Sequence, residues 1–180
     1  LAEDKGTGLL GIDELENCDA VILFTRRVTL PEAELARLKK YCDAGKPVIG
    51  IRTASHAFQN WPEIDKQLFG GDYRGHFKAD HVADVTLVAR DHPVLAGLRA
   101  FKTSGKLYKN PQPAADITLL LSATNEEGKP EPVAWTREQR GGRVFYTSLG
   151  VPADFENPNF LRLLTNAIFW TAKRPLPSTP

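Results

Sequence analysis

The chain has 180 residues, 42% of them hydrophobic and 25% charged, which is the composition of a globular protein long enough for one domain with a proper core. Its 23 basic and 22 acidic side chains nearly cancel and form no dense Lys/Arg block, so we expect neither a nucleic-acid surface nor a membrane surface. No apolar run approaches the ~20 residues that a membrane-spanning helix needs. The expected partner is a small molecule or another protein.

A strand, a helix and a second strand are predicted near the start of the chain. Residues 20–24 form an apolar run that is typical of a buried parallel strand. Pro31 and the two glutamates that follow it favour the start of a helix, and Gly45 favours its end. Val48–Ile51 is a second apolar, β-branched run that fits a strand covered on both faces. This order predicts a βαβ unit.

Polar side chains follow both of these strands. Arg52, Ser55 and His56 come directly after Val48–Ile51, and Arg26 follows the first strand. In open α/β sheets, ligands bind in the crevice outside the carboxyl ends of the strands. We therefore place the candidate site at this edge of the sheet.

The rest of the chain alternates short apolar runs with polar loops. We predict, in order, a short helix over residues 61–68, a loop over 72–83, strands over 84–89 and 117–123, a hairpin formed by 132–136 and 143–149, and a helix that begins at Pro158. The three prolines that follow Lys173 predict an extended or disordered tail.

Eight short pieces stand out along the chain from about residue 20 to residue 172. They are Gly50-Ile51-Arg52, Leu68-Phe69-Gly70-Gly71, His76, Asp91-His92-Pro93-Val94, Leu107-Tyr108, Pro132-Val133-Ala134-Trp135, Gly142-Arg143-Val144-Phe145-Tyr146-Thr147-Ser148-Leu149-Gly150 and Asn159-Phe160. Taken in this order, they resemble the ThuA-like family, which is named for trehalose utilisation. The ordered series is far more specific than any one piece.

This resemblance implies an α/β fold, a flavodoxin-like three-layer sandwich with a mostly parallel sheet, related to the class I glutamine amidotransferase domains. It implies a single domain over residues 1–174, followed by a Pro-rich tail at residues 175–180. It also implies a leading strand and helix before residue 20, which the polar, glycine-rich first dozen residues do not supply. If this unit is missing, we expect the strand at residues 20–24 to have one edge that is unpaired or paired with a foreign strand.

The sequence lacks the catalytic residues of the amidotransferases. Those enzymes place a Cys in a Gly-x-Cys-x-Gly turn and activate it with a later His that an acidic residue holds. Aligned on Gly50, the nucleophile position holds Arg52; aligned on Gly150, the His and acid positions hold Val151 and Ala153. Because Arg stays protonated, it is no nucleophile. Glutamine hydrolysis is therefore excluded.

The polar positions that ThuA-like proteins often use are also replaced. Where such proteins carry a His at the turn, an acidic residue before the Leu-Tyr pair and a His after the last Leu-Gly, this chain has Arg52, Lys106 and Val151. The two cations would repel a divalent metal, so we predict no metal and no cofactor. An anionic or strongly hydrogen-bonding ligand is expected instead, because Arg presents a planar fork of donors.

Two groups of residues are the candidates for a ligand site. We assign acid/base catalysis to His56 and His76. We assign substrate binding to Arg52, Ser55, Tyr108 and Arg26. For His56 a structural role, in which the ring ties the turn to a backbone carbonyl, stays open.

The other histidines are interpreted as structural or solvated. His92 stands directly before Pro93 and is interpreted as part of a turn. A zinc site formed by His56, His76 and His81 is conceivable from the residue types, but the sequence shows no tight ligand spacing.

These observations, together with the resemblance, favour a domain that binds or processes a carbohydrate, either a disaccharide or an oxidised sugar derivative. If it is an enzyme, we expect a sugar-active hydrolase or a related acid/base enzyme without a Cys nucleophile. Two alternatives stay open: a non-catalytic binding module on the same fold, and a metal-dependent hydrolase. Formation of a homo-oligomer also stays open.

Overall fold

A mixed β-sheet organises the fold in the computed structural model, which describes residue 9, residues 11–78 and residues 80–177. The strands of this part of the chain are β1 (Val21–Leu23), β2 (Val48–Ile51), β3 (Ala83–Leu87), β4 (Phe101–Thr103), β5 (Ile117–Thr124), β6 (Pro130–Gln139) and β7 (Gly142–Thr147). They form one sheet in the order β1-β2-β7-β6-β5-β3-β4. Two α-helices accompany the sheet, α1 (Glu32–Asp43) and α2 (Pro158–Thr171).

Only part of the sheet is parallel, which corrects the prediction of a mostly parallel, flavodoxin-like sheet. β1, α1 and β2 form the predicted βαβ unit, and the pairs β1–β2 and β2–β7 are parallel. The pairs β7–β6, β6–β5, β5–β3 and β3–β4 are antiparallel. Short turns join β5 to β6 and β6 to β7, and a connection of this length leaves no room for the crossover that parallel neighbours need. The result is a mixed α/β fold.

The sheet separates two apolar cores. Side chains alternate between its faces along each strand, so Ile49 and Val48 lie on opposite sides. The core on the side of Ile49 includes Phe145 and the buried face of α2, and the core on the side of Val48 includes Tyr146 and the buried face of α1. Elements on both faces give the fold three layers, as expected.

β1 is an edge strand of the sheet that the described residues form. Among the described residues β1 pairs with β2 alone, and Ile22 and Phe24 are 51% and 49% exposed. An apolar groove of about 470 Å³ runs along this edge between β1 and Leu9, Ile12 and Leu15. The unpaired edge is the one that we expected for residues 20–24. A leading unit before residue 20 stays a prediction, and residues 1–8 and 10 lie outside the described residues.

Local elements differ from the predictions in detail. The short helix expected over residues 61–68 is a π-helical turn at Asp65–Phe69, and β4 was not predicted. His92 has the structural role expected of it, because its Nδ1 accepts the N–H of Val94 at 3.2 Å. In the tail, residues 175–177 have no regular structure and residues 178–180 lie outside the described residues. No helix in the described part of the chain combines the length and hydrophobicity that crossing a bilayer requires.

Candidate functional site

The turn that follows β2 has a strained backbone. Arg52 begins a 3-10 helix (Arg52–His56) with φ of +46°, in the left-handed region that residues other than Gly seldom adopt. Its carbonyl oxygen accepts a hydrogen bond of 2.8 Å from Oη of Tyr146 and one of 3.3 Å from Oγ of Ser55. Conformations of this kind cost roughly 1–3 kcal/mol and persist where the surroundings fix them. These two hydrogen bonds hold the turn in this conformation.

Two glycines allow the chain to pass close to this turn. A Cβ on Gly50 would lie 2.5 Å from the ring of Phe69, so β2 and this ring are in close contact. Gly150 has φ of +121°, and a Cβ there would lie 2.8 Å from the side chain of Ile51. The Gly-x-Arg and Leu-Gly pieces of the sequence therefore meet at the carboxyl ends of β2 and β7.

The guanidinium group of Arg52 is anchored to the protein. Nη1 donates a hydrogen bond of 3.0 Å to the carbonyl oxygen of Ser148, and Nη2 donates one of 3.3 Å to that of Lys106. The guanidinium carbon also lies 4.8 Å from the ring centroid of Tyr108, as in a cation–π contact. Arg52 thus links the end of β7 to the segment that carries Tyr108.

Three rings form what we call the aromatic cluster: His56, Tyr73 and Tyr108. The rings of His56 and Tyr73 are stacked, with centroids 4.5 Å apart and planes 13° apart. The Tyr108 ring is tilted against both, with centroids 4.7 Å from Tyr73 and 5.8 Å from His56. Burial raises the pKa of both tyrosines, so each keeps a phenolic O–H at neutral pH.

Backbone pairing and a buried carboxylate position the two tyrosines. The segment from Arg74 to Phe77 pairs with residues 107–109 through three backbone hydrogen bonds of 2.9 Å, and His76 and Tyr108 are bridge partners. The N–H of Tyr73 donates a hydrogen bond of 2.8 Å to Oδ2 of Asp65. Asp65 is buried, and burial raises the pKa of its carboxyl to about 6.

His56 is a neutral imidazole at pH 7. Burial lowers its pKa, and the positive charges of Arg27, Arg26 and Arg52 act in the same direction, so that the pKa falls to about 4. Its Nδ1 lies 3.0 Å from Oγ of Ser55, and Nε2 has no hydrogen-bond partner among the described residues. A neutral ring with one unoccupied nitrogen can exchange a proton or a hydrogen bond with a ligand.

Arg26 and Arg27 lie beside the cluster, after the end of β1. Arg27 also has a left-handed backbone, with φ of +54°, and its N–H donates a hydrogen bond of 3.0 Å to the carbonyl oxygen of His56. Both side chains are exposed, and neither forms a hydrogen bond or an ion pair with any described residue.

Comparison with known proteins identifies the family. The family model for ThuA, described as trehalose utilisation, matches residues 2–171. The chain belongs to the ThuA family. The resemblance inferred from the sequence is therefore confirmed.

Solved structures share the fold of this ThuA-family chain. A ThuA-like protein from Parabacteroides merdae is 21% identical with a TM-score of 0.76, over 92% of this chain and 75% of that chain. A ThuA-like protein from Bacteroides uniformis is 22% identical with a TM-score of 0.71, over 89% and 71% of the two chains. A β-galactosidase from Rahnella sp. R3 is 16% identical with a TM-score of 0.63, over 90% of this chain and 24% of that enzyme. At these identities the likeness shows the fold alone. The comparison with curated protein sequences gives no match.

The structure brings three of the predicted site residues of this ThuA-family chain into direct contact, namely Arg52, His56 and Tyr108. Ser55 lies behind them, 3% exposed, and contacts the imidazole and the backbone. Arg26 acts on the imidazole through its charge.

His76 pairs with Tyr108 through an isolated β-bridge, but its ring bonds to a backbone carbonyl oxygen and not to the aromatic cluster. The side chain is exposed, and its Nδ1 is 2.8 Å from the carbonyl oxygen of Phe77. In the described ranges no hydrogen bond or ring contact joins His76 to His56.

The sequence did not identify the central ring of the cluster. Tyr73 lies in a predicted loop, and the signal that could have indicated it is the Gly70-Gly71 pair just before it. Gly71 has no room for a side chain, since a Cβ there would lie 2.3 Å from Oδ1 of Asp65. Arg27 directly follows Arg26 after the first strand, and its backbone hydrogen bond to His56 was not predicted.

A three-histidine metal site is not formed by the described residues. In these ranges no three His, Cys, Asp or Glu side chains are grouped as a metal ion would require. His81 lies at the end of β5, where its Nε2 is 3.1 Å from the carbonyl oxygen of Thr124.

Proposed function

We propose that this ThuA-family chain binds a carbohydrate at the carboxyl ends of β1, β2 and β7. The stacked pair of His56 and Tyr73, with Tyr108 against it, is the observation that carries the proposal. Aromatic rings offer flat apolar surface and keep polar tips, which suits a sugar ring with its apolar C–H face and its hydroxyl groups. The match to the trehalose utilisation family supports the same ligand class.

In this proposal His56 exchanges the proton. Its pKa of about 4 keeps it neutral, and the unoccupied Nε2 is the atom that faces the ligand. Ser55 holds the other ring nitrogen and acts as a positioning residue. His76 is the second candidate acid/base, because its bridge to Tyr108 places it next to the cluster. If turnover occurs, it is that of a sugar-active hydrolase or a related acid/base enzyme.

A non-catalytic binding module is the second candidate, and Arg52 favours it. The residue at the nucleophile position is a cation whose donors are bound to the carbonyl oxygens of Ser148 and Lys106, so it supplies no covalent chemistry. Such a protein would keep the cluster for recognition and would not transform the ligand.

Titration calorimetry and a turnover assay test both candidates. We expect trehalose or one of its keto derivatives to bind the unmodified chain, and Tyr73→Ala to weaken binding at least tenfold. Tyr41→Phe is the control, because Tyr41 lies on α1 and its Oη donates a hydrogen bond of 3.1 Å to the carbonyl oxygen of Pro47. Turnover that His56→Gln abolishes supports the enzyme, and binding without turnover supports the module. Absence of binding to any sugar overturns the proposal.

A further inference from the structure

Three arginines surround one imidazole in this site. Arg27, Arg26 and Arg52 each lower the pKa of His56 through their charge, and Arg26 and Arg52 act in the same sense on the phenol of Tyr108. The acid whose charge acts on Tyr73 is Asp65, which accepts the backbone N–H of Tyr73 and is itself buried. The solvent side of the cluster is therefore positively charged.

This charge is not neutralised within the described residues. Some exposed arginines elsewhere on the chain pair with acids, as Arg74 does with Asp72 at 2.7 Å and Arg174 with Asp19 at 3.0 Å. Arg26 and Arg27 have no such partner in the part of the chain that the structure describes. Two adjacent unpaired guanidinium groups repel each other and Arg52, and an anion placed between them would relieve that repulsion.

The geometry of the turns keeps these cations at the cluster. Arg27 is tied through its backbone N–H to the carbonyl oxygen of His56, so the side chains of Arg26 and Arg27 begin within reach of the imidazole. Both side chains keep all their donors, whereas Arg52 has used two of its own on the backbone. A free guanidinium presents a planar fork that matches the two oxygens of a carboxylate or phosphate.

We propose that the carbohydrate bound at this site carries an oxyanion, a carboxylate or a phosphate ester, which Arg26 and Arg27 bind while the sugar ring packs on the aromatic cluster. The inference rests on the proposed function, since the ring is placed by His56, Tyr73 and Tyr108. It fits the sequence, in which Arg52 stands where ThuA-like proteins often carry a His and Lys106 where they often carry an acidic residue. The overall net charge of +1 argues against a broad polyanion surface, so the charge recognised is local to one small molecule.

Calorimetry with matched pairs of neutral and anionic sugars tests this inference. The probes are glucose against glucuronate, for a carboxylate, and trehalose against trehalose 6-phosphate, for a phosphate ester. We expect the anionic member of at least one pair to bind at least tenfold more tightly at pH 7, and the pair that shows the larger ratio identifies the oxyanion. Because the contacts are partly exposed, the advantage should shrink severalfold in 0.5 M NaCl.

Variants assign the effect to the two arginines. Arg26→Gln and Arg27→Gln should each weaken binding of the anionic sugar about fivefold to tenfold and leave the neutral sugar unchanged. Arg90→Gln is the matched control, because Arg90 is an exposed arginine whose side chain has no partner among the described residues and which follows β3, near the opposite edge of the sheet.

The outcomes separate this inference from the proposed function. Equal binding of neutral and anionic sugars, still abolished by Tyr73→Ala, overturns the oxyanion and leaves the carbohydrate site standing. Absence of binding to all four sugars overturns both. If the Arg26→Gln and Arg27→Gln variants still prefer the anionic sugar, other groups bind the oxyanion, and the inference is overturned.

Discussion

The backbone N–H of Arg27 donates a hydrogen bond of 3.0 Å to the carbonyl oxygen of His56. This bond joins the turn after β1 to the turn after β2, so the arginines of one strand and the imidazole of the next are fixed relative to each other. Both turns contain an arginine with a left-handed backbone, Arg27 and Arg52. The site is therefore built by the backbone of two neighbouring strand ends as well as by its side chains.

His56 should titrate near pH 4. Burial and three arginines disfavour the charged ring, so the imidazole signal in an NMR titration should show a midpoint near the value of about 4 expected for its pKa. Arg27→Gln should raise this midpoint, since one cation is removed, while Arg90→Gln should leave it in place. His56→Gln identifies the signal. A midpoint at the ordinary 6.5 in the unmodified chain would contradict the burial and charge described for this ring.

Asp65 should make the folded chain less stable as pH rises. Burial raises its pKa from 3.8 to about 6, so between these values the folded chain holds a proton that the unfolded chain has released. The free energy of unfolding therefore falls as pH rises through this window. Asp65→Asn removes the titration and keeps an oxygen to accept the N–H of Tyr73. We expect the variant to be more stable at pH 7 by about 1–3 kcal/mol.

Urea unfolding from pH 4 to pH 7.5 measures this effect as the difference between the two proteins. The difference is needed because His56 changes the free energy of unfolding in the opposite direction. Between its lowered pKa of about 4 and the ordinary 6.5, the folded chain has released a proton that the unfolded chain still holds, so stability rises with pH. Asp80→Asn, a substitution of the same kind at an exposed position, is the control. Parallel curves for Asp65→Asn and the unmodified chain would mean that Asp65 is ionised throughout.

Removing the Arg52 side chain should destabilise the fold. Arg52→Ala loses the hydrogen bonds to Ser148 and Lys106 and the contact with Tyr108, which we expect to cost about 2 kcal/mol in urea unfolding at pH 7. Arg52→Gly loses the same contacts but fits the left-handed backbone, so it should be about 1 kcal/mol more stable than Arg52→Ala. If alanine proves at least as stable as glycine, the backbone at this position is not strained.

Gly50 and Phe69 should be energetically coupled. Gly50→Ala would place its Cβ 2.5 Å from the Phe69 ring, and such overpacking should cost roughly 1–3 kcal/mol. Phe69→Leu removes the ring atoms that clash, so the double variant should be less destabilised than the sum of the two single variants. A double-mutant cycle by urea unfolding measures the coupling, and additive effects would show that the two residues are not in close contact.

The elements that depend on local sequence were predicted well. The apolar runs, Pro31 and Gly45 indicated β1, α1 and β2, and the hairpin predicted over residues 132–136 and 143–149 is formed by β6 and β7. The antiparallel pairs β5–β6, β3–β5 and β3–β4 were not predicted, because the family resemblance was extended to the rest of the sheet, although the short turn between β5 and β6 already required antiparallel neighbours.

The candidate site was only partly predictable, for a physical reason. The bonds of Arg52 reach carbonyl oxygens 54 and 96 residues away along the chain, and no local pattern specifies such distances. Tyr73 is part of the cluster because of backbone pairing and the carboxylate of Asp65, which become evident only in the folded chain. Residue types at strand ends indicated where the site is, and tertiary contacts decided which side chains form it.

The anchoring of Arg52 has a consequence for the entropy of binding. A free arginine side chain has about 2 kcal/mol of rotamer entropy to lose when it is immobilised, and here two hydrogen bonds and a ring already restrict it before any ligand arrives. This side-chain entropy is lost when the chain folds and not when a ligand binds. A ligand that binds here therefore contacts an Arg52 side chain that is already ordered. The side chains that must still be ordered on binding are those of Arg26 and Arg27, which are exposed.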